Sequence, residues 1–314
     1  MSIVGAVDCG TNSIRLLIAR TTDHGLVDVH REMRVVRLGE GVDATGRFTE
    51  AALQRTRAAL ADYSAIMVDA GVDAVRMVAT SATRDAANRD EFFGMTRELL
   101  GPVVAGSVAE VITGDEEARL SFAGAVGEFD SARGPFVVTD LGGGSTEVVL
   151  GTGEHGVSAA RSVDIGCVRL TERALASDPP TPDEVERARG FARDELATAF
   201  AVVPVAQART WVGVAGTMTT LAALAAGLDT YDAEKIHRSV VGFDALREVC
   251  ERLIAMTREQ RSALGPMHPG RVDVIGGGSV VTLELARVLQ EQAGITEMVV
   301  SEHDILDGIA LSIS

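Results

Sequence analysis

The stretch Phe136-Val-Val-Thr-Asp-Leu-Gly-Gly-Gly-Ser-Thr-Glu-Val-Val-Leu150 decides the fold, because the chain has already used its pattern once, in Ile3-Val-Gly-Ala-Val-Asp-Cys-Gly-Thr-Asn-Ser-Ile-Arg-Leu-Leu-Ile-Ala19. Each reads as an apolar strand, a polar turn headed by an aspartate and carrying glycine and hydroxyl residues, then a second apolar strand. Asp8 and Asp140 stand 132 residues apart, about one domain length. The repeat points to an internal duplication of one strand–turn–strand unit.

Outward from these hairpins, strands and helices alternate, the signature of an α/β protein. The pattern predicts a strand through 27–38 and a helix through 50–70. On that helix Leu53, Leu60, Tyr63, Met67 and Ala70 share one face, with Thr49 as N-cap. A strand at 74–79, a helix at 90–100, a strand at 107–112 and a helix opening near Gly114 follow. Gly127 to Pro135 is polar and glycine-bearing, a suitable joint. Further on, Thr181-Pro-Asp-Glu184 has the residues of a capping box. A strand at 210–214 runs into Gly216-Thr217 and a helix, and a strand at 272–275 is expected to run into Gly276-Gly-Gly-Ser279 and another helix.

The 314 residues suit two domains, each able to bury a core. A formal net charge of −16 argues against nucleic acid or an anionic membrane as the main partner. No apolar run approaches the roughly 18 residues of a membrane helix, and no basic leader precedes the first apolar residues. Cys9, Cys167 and Cys250 are odd in number and widely spaced, which suits reduced thiols in a cytoplasmic protein.

Four expected turns end in small or hydroxyl residues, at 10–13, 142–146, 216–217 and 276–279. Glycine lets backbone N–H groups approach a phosphate closely, and a helix N-terminus adds a favourable dipole; each turn is also explicable as a plain tight connection. No GxxxxGK[ST] pattern occurs. Asp8, Asp140 and Glu147 would repel a phosphate unless a hard cation such as magnesium lies between; alternatively, the aspartates cap their own turns. In Ile112-Thr-Gly-Asp-Glu-Glu-Ala118, Thr113 and Glu116 fit a capping box. Glu117 is either a solvated first-turn acid or a base that draws a proton from water. Arg84 and Asn88, at helical i, i+4 spacing, read either as a surface ion-pairing face or as a phosphate clamp. The six histidines show no metal-ligand spacing, and Cys9 reads as a small filler.

Asp8-Cys-Gly-Thr-Asn-Ser-Ile-Arg15, Ala79-Thr-Ser-Ala-Thr-Arg84, Gly114-Asp-Glu-Glu-Ala-Arg119, Asp140-Leu-Gly-Gly-Gly-Ser-Thr-Glu147 and Gly216-Thr-Met-Thr-Thr220 resemble, in order and spacing, the exopolyphosphatase/guanosine pentaphosphate phosphohydrolase (Ppx/GppA) family, from residue 3 to about 311. The resemblance implies an α/β chain with two ribonuclease-H-like domains of the actin-like ATPase and sugar kinase superfamily around a central cleft. They would span 1–125 and 126–314, with the last helix, about 303–314, able to pack back on the first.

It also implies roles. Glu117 would activate water, with Arg84 near the scissile phosphate. Asp140 and Glu147 would hold magnesium, or manganese in its place, with Asp8 close by. Gly10, Thr11, Asn12, Ser13 and Arg15 would form the first phosphate loop. Gly142, Gly143, Gly144, Ser145 and Thr146 would form the second with Gly216 and Thr217, and Arg271 would contact the outer part of the substrate. The implied reaction is release of orthophosphate from inorganic polyphosphate, in a cytoplasmic homodimer. Alternatives are guanosine pentaphosphate hydrolysis, regulation by binding guanosine penta- or tetraphosphate, and an ATP-dependent kinase of the same superfamily. Cys9 stands where the family has an aliphatic residue, and longer relatives carry a further C-terminal helical domain beyond the point where this chain stops.

Overall fold

The computed structural model describes residues 2–23 and 25–314; Met1 and His24 lie outside the described residues. The chain forms two compact units, one of Met1–Gly124 with Ile305–Ser314 and one of Ala125–Asp304.

The first unit is built on β1 (Ile3–Cys9), β2 (Ser13–Thr22), β3 (Gly25–Val35), β4 (Ala74–Ala79) and β5 (Glu110–Val111), in the order β3-β2-β1-β4-β5. β1, β2 and β3 form an antiparallel meander, and β4 and β5 add in parallel. Its helices are α1 (Val42–Thr45), α2 (Glu50–Asp69), α3 (Ser81–Asp85), α4 (Arg89–Leu100) and α5 (Gly114–Val126), the last crossing into the second unit.

The apolar run at 16–19 is continuous because β2 is buried on both faces there. Ile14, Leu16 and Ile18 join a core with Leu60, Tyr63 and Met67 of α2 and Phe92 of α4. Leu17 and Ala19 point the other way, with Val4, Ala6 and Val78, onto Ile305, Leu306, Ile309 and Ala310 near the C-terminus. The Thr49 hydroxyl accepts from Ala52 N–H and caps α2. The strand expected at 107–112 pairs with β4 only through Glu110 and Val111.

In the second unit β6 (Phe136–Leu141), β7 (Thr146–Thr152) and β8 (Gly156–Val163) repeat the meander. β9 (Thr210–Val214) adds to β6 in parallel, and β11 (Glu297–Val300) adds to β9; β10 (Val240–Gly242) closes the edge antiparallel to β11. Read from β8, the order β8-β7-β6-β9-β11 is that of the first sheet, so both units have the expected ribonuclease-H-like α/β fold. The helices are α6 (Cys167–Ala174), α7 (Pro182–Phe200), α8 (Ala215–Ala225), α9 (Ala233–Ile236), α10 (Phe243–Ala255), α11 (Arg258–Ser262) and α12 (Ile275–Ala293). The Thr181–Glu184 capping box forms as expected at the start of α7. The C-terminal helix of the first unit is α13 (Ile305–Leu311).

The strand expected at 272–275 is not one. Val272 follows a single 3-10 turn, and Gly276, Gly277, Gly278 and Ser279 are the buried first turns of α12 rather than a phosphate turn. A short apolar run does not distinguish strand from buried helix by periodicity. These glycines serve close packing: a Cβ on Gly277 would lie 2.5 Å from Thr171 Oγ1, and one on Gly278 2.6 Å from Thr217 Cγ2.

Candidate functional site

Both hairpin turns are closed by the same hydrogen bond, Gly10 N–H to the Ser13 carbonyl at 3.0 Å and Gly142 N–H to the Ser145 carbonyl at 3.1 Å. The duplication read from the letters is therefore present in the backbone. In the second turn the carbonyls of Gly142 and Gly143 accept from Cys167, Val168 and Arg169 N–H, and that of Gly144 accepts from Arg169 Nε at 2.8 Å. The C=O and N–H of one planar peptide point in opposite directions. The N–H groups of Gly143, Gly144 and Ser145 consequently face away from α6. The first turn repeats this device: Thr11 O accepts from Gly39 N–H, and Asn12 O from Val36 and Arg37 N–H, which turns the N–H groups of Asn12 and Ser13 outward. Successive N–H groups aimed one way make an anion cradle.

Around the first turn, Asp8 and Arg15 are cross-strand partners, and Arg15 donates through Nε and Nη2 to Asp8 Oδ2 at 3.0 and 2.7 Å. An arginine expected to meet phosphate is thus held by the neighbouring aspartate. Arg84, on α3, donates through Nη1 to Glu117 Oε2 at 2.7 Å and to the Ile112 carbonyl at 3.2 Å. Glu117 sits in the first turn of α5, only 7% exposed. Burial raises its pKa; Arg84 opposes the rise, the Asp8 charge adds to it, and a hydrogen bond with the Thr80 side chain lowers it. The solvated-acid alternative for Glu117 is thereby excluded. Thr80 was not among the expected site residues, although it stands in the polar stretch that follows β4.

Glu116 takes only half of its capping box. Its N–H donates to Thr113 Oγ1 at 3.2 Å, while its carboxylate accepts from Arg76 Nη2 at 2.6 Å. Asn88 does not share a helix with Arg84: Ala86 closes α3, and the Asn88 amide instead pins the Phe48 backbone through bonds of 2.8 and 3.2 Å.

In the second unit Asp140 and Glu147 are cross-strand partners, so their carboxylates lie on one face of the sheet. Both are buried. Two hard-oxygen donors at this spacing fit a magnesium-class cation. Thr146 is turned elsewhere, its hydroxyl bonded to the Ile165 carbonyl. Cys167, whose N–H holds the glycine turn, meets the Thr217 side chain through its thiol; burial pushes that thiol up to about 11. Arg271 lies over Gly216 so closely that a Cβ there would stand 2.3 Å from its Nη2, and its Nη1 donates to Thr220 Oγ1 at 2.9 Å. Ala215, which opens α8, holds φ 71, a strained value for a residue with a side chain. The second turn, the start of α8 and Arg271 thus adjoin within this unit. Cys9 is buried, and burial raises its thiol pKa.

Among the described residues a separate group gathers Glu128, His237 and His303. Glu302 N–H donates to His237 Nδ1 at 3.2 Å, so the ring proton sits on Nε2 and is donated to Glu128 Oε2 at 3.0 Å. A metal would need the Nε2 lone pair, and this pattern therefore fits a hydrogen-bonded clasp rather than a metal centre.

The chain is 63% identical over 316 residues to Exopolyphosphatase 2 of Mycobacterium tuberculosis, covering 99% of this chain and 98% of that one. It is 31% identical over 98% of its length to the bifunctional 3-dehydroquinate synthase/phosphatase of Fusobacterium nucleatum, of which it covers 46%. Among solved structures it superposes on an exopolyphosphatase-like protein with a TM-score of 0.93 at 42% identity, covering 99% and 98% of the two chains. A family member from Aquifex aeolicus gives a TM-score of 0.80 at 32% identity, over 99% and 97%. The model of the Ppx/GppA phosphatase family matches residues 17–313, and the chain belongs to that family.

Proposed function

We propose that this protein is an exopolyphosphatase that hydrolyses the terminal phosphoanhydride of inorganic polyphosphate and releases orthophosphate. The observation that carries the reading is Glu117: a buried carboxylate of raised pKa, held by Arg84. That is the direction in which burial tunes a carboxylate toward general-base work. Glu117 takes a proton from water as the water oxygen bonds to the terminal phosphorus; the bond to the bridging oxygen breaks, and the shortened chain keeps that oxygen. Arg84 orients Glu117, and its guanidinium charge stabilises the phosphoryl oxygens. In the first unit the outward N–H groups at Asn12–Ser13 are the proposed phosphate cradle, and in the second unit those at Gly143–Ser145, with Arg271 over Gly216, are its counterpart. Asp140 and Glu147 would hold magnesium or manganese, whose chemistry there is to neutralise charge on the phosphoryl oxygens.

The name of the 63% identical relative supports the substrate class. Free, buried cysteines support a cytoplasmic location, and a homodimer is the proposed assembly. No described helix is long and apolar enough to cross a membrane.

Glu117→Gln should retain polyphosphate binding and lose roughly 100-fold or more in turnover, measured as phosphate release from short and long polyphosphates and from guanosine pentaphosphate. A near wild-type rate overturns the assignment of the base. Release from guanosine pentaphosphate alone would replace the substrate.

A further inference from the structure

Asp140, Glu147 and Ser162 stand side by side on β6, β7 and β8, each the register partner of the next. Directly opposed residues of antiparallel strands share a face of the sheet. The Ser162 hydroxyl donates to Glu147 Oε1 at 2.6 Å, the short length of a hydroxyl–carboxylate bond. Glu147 itself is 1% exposed, and a hydroxyl donor compensates part of the penalty for a charge taken out of water. In the duplicated first hairpin the same row reads Asp8, Arg15, Met33. There the central position is a cation that binds the aspartate, and the third side chain has no hydroxyl to donate. The two copies have diverged along a single row: one balances its own charge, and the other keeps two carboxylates together with a hydroxyl beside them.

We infer that Ser162 is a positioning residue that fixes the rotation of the Glu147 carboxylate for a divalent cation. The inference rests on the metal role proposed above for Asp140 and Glu147. Outer partners of ligating carboxylates act by orienting them, and their loss weakens metal affinity about 10- to 100-fold.

The test is Mn2+ binding to the full chain without substrate, followed by electron paramagnetic resonance. Ser162→Ala should weaken Mn2+ affinity about 10-fold, while Ser162→Thr, which keeps the hydroxyl, stays near wild type. The half-saturating Mg2+ concentration for phosphate release should rise in parallel in Ser162→Ala. Unchanged Mn2+ affinity in Ser162→Ala overturns the proposal, as does an equal loss in Ser162→Thr, which would assign the effect to packing. Glu147→Gln separates the two levels. If it binds Mn2+ like the wild type, the metal reading itself fails; if it loses the ion while Ser162→Ala keeps it, only the role of Ser162 fails.

Discussion

Burial raises the proton affinity of Glu117, and the Arg84 guanidinium at 2.7 Å works against that rise. A base acts only when deprotonated, and a raised pKa means that the carboxylate takes up its proton at a higher pH than an ordinary glutamate. Turnover should therefore fall with acidification through that raised value, at a higher pH than the ionisation of an exposed glutamate would set. Arg84→Gln removes the opposing charge, so the acidic limb of its residual activity should move further toward alkaline pH. A pH–rate profile checks this; an unmoved or acid-shifted limb would separate Arg84 from the ionisation of Glu117.

At the scale of elements, glycine has opposite meanings in two helices of the second unit. Gly190 lies within α7, where an added Cβ would meet nothing within 4 Å. Gly277 opens α12, where a Cβ would press to 2.7 Å on the Cys167 carbonyl oxygen and to 2.5 Å on Thr171 Oγ1. Gly190→Ala should stabilise by about 0.5–1 kcal/mol, through helix propensity and a less free unfolded chain. Gly277→Ala should destabilise by about 1–3 kcal/mol, through overpacking. Urea midpoints measure both. Equal shifts of the same sign would show that α12 has room and that its glycines were not selected by contact.

Across the whole molecule, the last residues of the chain belong to the unit that contains the first. Ile309, fully buried, packs with Val4, Ala6 and Leu17, and Asp307 accepts from Arg31 of β3 at 2.5 and 3.2 Å. Ile309→Ala should cost about 2–5 kcal/mol. The loss should appear as reduced hydrogen-exchange protection in β1 and β2, distant in sequence, and not in β11, which precedes α13 by only a few residues. Loss confined to β11 and α12 would contradict this division of the chain.

The net charge of −16 belongs to the same scale. The molecule as a whole does not attract a polyanion, and the proposed recognition is correspondingly local, through backbone N–H groups, arginines and a cation. With a single lysine, Lys235, the side-chain cations available for this are almost all arginines.

The sequence alone determined what repeats and what is local. The two Asp-headed turns, the strands beside them and the caps at Thr49 and Thr181 depend on neighbours in the chain or on simple periodicity, so the letters suffice. Contacts between distant residues were decided by the tertiary structure. Gly276–Ser279 read as a phosphate turn because glycine serves a cradle and a close helix crossing equally well, and only the arrival of Thr171 and Thr217 distinguishes them. Arg15 reads as a phosphate ligand from its place in the first turn, and only the pairing of β1 with β2 adds that Asp8 holds it. The proton affinity of Glu117 is likewise absent from its own neighbourhood in sequence. It follows from burial, from an arginine 33 residues away and from a threonine on a different loop, which only the folded chain brings together.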